Sequence, residues 1–261
     1  MKKEEEKIVN EVLADFKERA EKRKSLDLIW QVNMNFLMGN QYCNIGYGGN
    51  LEESERQYFW QEREVFNHIA PTFDIRYAKL TKVDTEINIL PSTNDERDVK
   101  SAKVSKKIIK SIKNKLKLQS IIAQGIKWSE VCGTCFYKIT WNSDKGQVVG
   151  LDEGGRPVKS GEVEVSVVSP FEIYPDNLVT EKLEELQSII HAKAYSTEEV
   201  KAMFDVTVKG QDVNVYSLDS VNSSIGGLGF NGTMPKMIES RKSDSVLVIE
   251  RYNRPNATYP N

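Results

Sequence analysis

Apolar residues recur every three or four positions in the long segments before Gly133, and alternate or run β-branched in the short segments after it. That switch of period limits the fold more than any other feature. From Glu4 to about Arg23 the apolar positions Ile8, Val9, Val12, Leu13, Phe16 and Ala20 define a helix face. Ser25 has the chemistry of an N-cap for a second helix, in which Leu26, Ile29, Trp30 and Leu37 share a face and which Gly39-Asn40 stops. A Gly/Asn-rich loop is expected over 41–50, then a helix over 66–85 with Pro71 near its start. Glu86–Pro91 has the composition of a short strand. Ser92, Thr93, Asn94 and Asp95 offer caps for a long helix to about Leu116, and another helix runs from about Gln119 to Val131.

Beyond Gly133 the pattern changes. Cys135–Trp141 and Glu162–Val168 alternate or are β-branched, and predict antiparallel strands joined by a long hairpin. Ser188–Ala194 and Ser245–Tyr252 predict further strands. Ser196-Thr197-Glu198-Glu199 is a capping-box pattern opening a short helix to Phe204. Residues 210–243, rich in Gly, Ser and Asn, predict a mobile loop. Helices first and a small antiparallel sheet afterwards make the expected class α+β.

Composition narrows the function classes. The chain has 261 residues, 39% hydrophobic and 28% charged, as expected of a folded protein with an extensive wetted surface. A net charge of −2 provides no global basic field for nucleic acid. No apolar run reaches the length of a bilayer span, and three cysteines point to a reducing compartment rather than a disulfide framework.

Two motifs match the letter of known chemistry and fail on context. Cys132-Gly133-Thr134-Cys135 sits where a helix ends, whereas a redox dithiol wants a helix start. A zinc site there would need Cys43, His68 or His191, none of them paired in spacing. Gly227-Leu228-Gly229-Phe230-Asn231-Gly232 lies in the polar loop with no helix after it. No catalytic residue, metal or cofactor is expected. The strongest charge feature is the predicted helix bearing Lys100, Lys103, Lys106, Lys107, Lys110, Lys113, Lys115 and Lys117 around an apolar stripe of Val104, Ile108, Ile112 and Leu116. Such a face can be solvated, can contact a neighbouring subunit, or can lie near nucleic-acid phosphates. Trp30, Phe36, Tyr42, Tyr58, Phe59, Trp60 and Phe66 are expected to pack between the first helices.

The order of short motifs carries a resemblance. Gly39-Asn40-Gln41-Tyr42 resembles the G-x-Q-W/Y segment of portal proteins from short-tailed and crAss-like phages. Asn67-His68-Ile69-Ala70-Pro71 and Ile87-Asn88-Ile89-Leu90-Pro91 resemble their N-x-I-x-P … I-x-V-x-P block. Gly133–Trp141 is similar to their G-x-G-x-x-x-I-x-W passage, with Cys135 where a second small residue often stands. Val167–Asp176 is similar to V-x-P-x-E-I-Y-P-D, Ser196–Val200 to S-x-E-E-V, and Val246–Tyr252 to V-x-V-x-E-x-Y. Together these motifs cover about Leu28 to Tyr252 in family order.

The resemblance implies a virion protein assembled in the host bacterial cytoplasm. It would form a ring, normally dodecameric, at one capsid vertex. Its implied partners are the terminase large subunit, the major capsid protein and scaffold, tail adaptor proteins, and double-stranded DNA held non-specifically in the channel, with no membrane. It also implies a helical arm at 1–50, a wing-like α+β domain at 51–252, and at 253–261 the start of a connection toward stem and clip elements. A fragment is therefore expected, with the residues nearest DNA outside it. The first helix and the face of Lys100, Lys103, Lys106, Lys107, Lys110, Lys113 and Lys117 are the candidates for contact between subunits or for proximity to DNA. The alternative is a phage adaptor or scaffold-binding module without a channel.

Overall fold

The computed structural model describes residues 3–53, 60, 64–83, 87–151, 154–180, 182–216 and 239–255. Along the chain the helices are α1 (Lys3–Leu37), α2 (Ile69–Thr81), α3 (Glu96–Lys115), α4 (Leu118–Cys132) and α5 (Thr197–Phe204). The strands are β1 (Cys43–Ile45), β2 (Leu51–Glu53), β3 (Phe136–Asn142), β4 (Val148–Leu151), β5 (Pro157–Lys159), β6 (Glu162–Val168), β7 (Ile173–Pro175), β8 (Ser188–Ser196), β9 (Gln211–Tyr216) and β10 (Glu239–Asn253). The class is α+β, a long N-terminal helix followed by small antiparallel sheets. The chain divides into two units, Met1–Thr72 with Ser169–Asn261, and Phe73–Val168. The arm expected at 1–50 falls inside the first unit, and the stretch 51–252 contributes to both.

The first unit is a four-stranded antiparallel sheet, ordered β7-β8-β10-β9, with α1 against β7. Where the sequence predicts two helices broken at Ser25, the chain forms one helix of 35 residues. No Gly or Pro lies between Lys3 and Leu37, so nothing stops the first helix. Ser25 is a tolerable interior residue there rather than a cap. Trp30, Met34 and Leu37 are buried in the C-terminal half of α1, and Phe171 from the turn before β7 and Ile173, Ile190 and Ala192 from the sheet are buried in the same unit. The expected loop at 41–50 contains the first strand of the short β1–β2 hairpin.

Strand β9 lies within 210–243, where composition predicts only a loop. Val213 and Val215 alternate with Asp212 and Asn214, and β9 pairs with β10 as the sheet edge. The register shifts between Lys242 and Ser245, where Asp244 has a positive φ of 48°. Residues 217–238, including the Gly227–Gly232 motif, lie outside the described residues. The capping box of α5 is complete. Glu199 N–H donates to Ser196 Oγ at 3.2 Å, and Ser196 N–H donates to Glu199 Oε2 at 2.7 Å.

In the second unit α3 and α4 form a helical pair, and α4 packs on β6 of the antiparallel β3–β6 ribbon. The core is small: Ala102, Trp128, Val131, Cys132 and Val168. Residues 87–91, expected as part of a strand, adopt no strand, and Glu86 lies outside the described residues. Proline at 91 and four polar residues after it leave no partner-forming length. Gly133, at φ 76°, closes α4 with its N–H donated to Ser129 O.

The expected aromatic core is only partly assembled. Trp30 is buried, whereas Trp60 and Phe66 are exposed; Tyr58 and Phe59 lie outside the described residues.

Candidate functional site

The lysine face is built by the period of α3. Lys100, Lys103, Lys107 and Lys110 stand at i, i+3, i+7 and i+10, and all four are exposed on one side of the helix. Lys100 pairs with Glu96 at 2.6 Å one turn earlier. Lys106 lies at the margin of this face and donates to Asn88 Oδ1 at 2.8 Å. Lys113 is half-buried, toward the α4 side. Lys117 leaves the face altogether: it follows the C-cap Leu116 in a left-handed conformation, φ 50°, and is the N-cap of α4. Lys115 is turned onto the ribbon, where its ammonium contacts Glu162 at 2.5 Å. The structure thus brings together four of the seven expected lysines and disperses the others.

The apolar stripe on the same helix lies elsewhere than its period suggests. Ala102 is the buried residue of α3, while Val104, Ile108 and Ile112 are 57%, 53% and 40% exposed. Helix α3 therefore turns its small-residue side to the unit and leaves the β-branched stripe outside, with Lys100 and Lys107 within a turn of it. This surface can hold an anionic or acidic partner by charge and an apolar one by area.

A second assembly, in the first unit, is not among the sequence expectations. Arg19 and Arg23, one turn apart on α1, enter the packed side of the helix, and Arg23 is 2% exposed. Arg19 donates from Nε and Nη2 to both oxygens of Asp15, each at 2.7 Å, and from Nη1 to the carbonyls of Tyr174 and Ser188. Arg23 donates to the carbonyls of Pro170, Phe171 and Ile173, and its Nε lies 2.8 Å from Asp27 Oδ1. Its guanidinium stacks 3.6 Å from the Tyr174 ring centroid. Phe171 then fixes the turn: it meets Trp30 edge-on at 5.2 Å and stacks on Tyr216 at 4.1 Å. Ser169 caps the turn by accepting from Phe171 N–H.

Guanidinium forks suit this task because one planar group can satisfy several carbonyls that a turn leaves unpaired. Burial raises the pKa of Asp27 and outweighs the opposing pull of Arg23. Burial likewise raises that of Tyr174. Nearby, His191 on β8 lies between Glu250 on β10, 3.1 Å from Nδ1, and Glu172, 3.5 Å from Nε2. A cleft of about 460 Å³ opens beside this cluster, between Arg23, Asp27 and Tyr174 on one wall and the β9 edge on the other. Asp27, Glu172 and Asp212 are the acidic residues of its lining, and Asp27 is paired with Arg23.

The signal for this cluster is present in the sequence. Arg19 and Arg23 fall in line with Val12, Phe16 and Trp30, on the apolar face where a solvated arginine does not belong, with Asp15 and Asp27 one turn to either side.

The cysteine pair sits at the wrong helix end for redox chemistry. Cys132 is the buried last residue of α4, and Cys135 is half-buried just before β3. The Tyr137 hydroxyl has its pKa raised by burial and by Cys135 beside it. Gly125 makes room for that ring: a Cβ there would come within 2.0 Å of Tyr137 Oη. Among the described residues no group of three or more His, Cys, Asp or Glu side chains could hold a metal ion. No family model matches the chain, and neither does any curated protein.

Proposed function

We propose that this chain is a structural subunit of a tailed-phage portal ring, the channel at one capsid vertex through which DNA is packaged and ejected and on which terminase and tail adaptors dock. The observation that carries the reading is the run of portal-like motifs in family order from about Leu28 to Tyr252. The segment with the nearest resemblance, Val167–Asp176, includes the turn whose carbonyls Arg19 and Arg23 grip, so the motif has a physical reason to persist. The role is mechanical: function arises from repeating the subunit around an axis.

Immunogold labelling of virions with an antibody to this chain tests the reading. Label at a single vertex, with rings in negative-stain images of the gene product, is the expected result. Label along the tail would favour an adaptor without a channel, and absence from virions would overturn both.

A further inference from the structure

Helix α3 concentrates positive charge that its own acids do not cancel. Residues 96–117 contain eight lysines and an arginine against two acids. Glu96 is paired with Lys100, and Asp98 accepts from Thr93. Among the described residues the side chains of Lys103, Lys107 and Lys110 make no ion pair or hydrogen bond, and that of Lys106 donates to the neutral amide of Asn88. All four lysines are exposed. On a helix they fall within an arc of about 100° and a rise of about 10 Å, so four ammoniums share one side.

From this we infer that α3 docks on the phosphate backbone of double-stranded DNA, without reading its sequence. A duplex presents about six phosphates per 10 Å of axis, a density that four ammoniums over the same rise can meet. Between Glu96 and Lys115 there is no aromatic residue to stack on unpaired bases, which favours a duplex over a single strand. Nor is there the Trp, Phe or Leu with which a basic helix anchors in a lipid surface. The chain as a whole carries a net charge of −2, so attraction to DNA is local to this face. Contacts of this kind are weak and salt-sensitive. The inference does not rest on the portal reading. The resemblance places the elements nearest DNA outside this chain, so the α3 face is a contact additional to the channel.

The test is fluorescence anisotropy of a short labelled duplex of arbitrary sequence, titrated with the full 261-residue chain over a range of salt. The native chain should bind at low salt, with log K falling against log salt at a slope of about −3 to −4. Lys103→Glu with Lys107→Glu should weaken binding about tenfold or more and reduce the slope by about 2. Lys201→Glu with Lys209→Glu makes the same change in net charge at exposed sites of the first unit, and should weaken binding about twofold at most. Circular dichroism checks folding. Should the reversal not fold, Lys103→Gln with Lys107→Gln keeps good helix formers and should show the same loss of slope. A native chain that binds no duplex at low salt would overturn the inference, as would equal weakening by the two reversals. Tighter binding to single strands would overturn it too. So would binding to polyglutamate or to phosphatidylserine vesicles as tight as to the duplex, because the face would then belong to an acidic protein or a membrane. Failure of the portal reading is seen separately, since virion labelling does not depend on this binding.

Discussion

The two units of this chain bury their cores by opposite means. The first places polar groups inside: two arginines, a histidine and several serines lie buried among Trp30, Met34, Ile190 and Phe171. The second has a thin apolar core and leaves large side chains outside, among them Ile108, Ile139, Trp141 and Leu151. The comparison teaches where specificity is located. In the first unit a particular set of hydrogen bonds selects one arrangement of helix and turn, because each buried carbonyl must find a donor. In the second, few apolar side chains are buried and Ile108, Ile139, Trp141 and Leu151 stay exposed, as Ile8 and Phe204 do in the first; such area is characteristic of surfaces that meet partners.

The largest expected effect breaks the first unit. Arg23→Met leaves three carbonyls and Asp27 without their donor in a buried site, which costs about 3–5 kcal/mol. Urea unfolding should show this loss, and Arg23→Lys should rescue little of it because an ammonium lacks the planar fork. Val131→Ala tests the thin core of the second unit and should cost about 2 kcal/mol. Hydrogen exchange should place each loss mainly in the unit mutated; uniform loss across both would show that they unfold as one.

Ser196→Ala removes one half of the α5 capping box and should lower stability by about 1 kcal/mol. The pH dependence of that box follows from Glu199, whose pKa is held below its ordinary 4.5 mainly by the hydrogen bond from Ser196 N–H. Its stabilisation is therefore present above pH 4.5 and lost as pH falls through the lowered folded-state value. An acid titration of Glu199→Gln against the native chain should show the native curve dropping more steeply below that point. The smallest effect sharpens the comparison from the other side. Ile108→Ala, at an exposed stripe, should change stability by no more than about 0.5 kcal/mol.

The sequence is legible where local chemistry and period agree. Helix α3 begins after Asp95 as its acidic first turn requires, α5 carries its box, and β3 and β6 pair as their β-branched runs suggest. It misleads where one residue type has two uses. Ser25 is as good a helix interior as it is a cap, and only the missing breaker decides. The α3 stripe shows the limit of periodicity: Val104, Ile108 and Ile112 define a face, but the period does not say whether this chain or another covers it. The arginine cluster is hidden because arginine on a helix ordinarily faces water, and the carbonyls that hold Arg23 lie some 150 residues away along the chain.

Arg23 recognises only backbone oxygens in the turn at 170–173, which has a consequence for how this fold can drift through evolution. At 170–173 what the guanidinium demands is the path of the chain; beyond the turn it also stacks on the Tyr174 ring. Pro170 fixes part of that path, whereas the Glu172 side chain takes no part in the grip and can change without loosening it. Relatives separated far enough to share almost no surface identity should still have an arginine facing a proline-bearing turn, and this pair will be the last trace of kinship to fade.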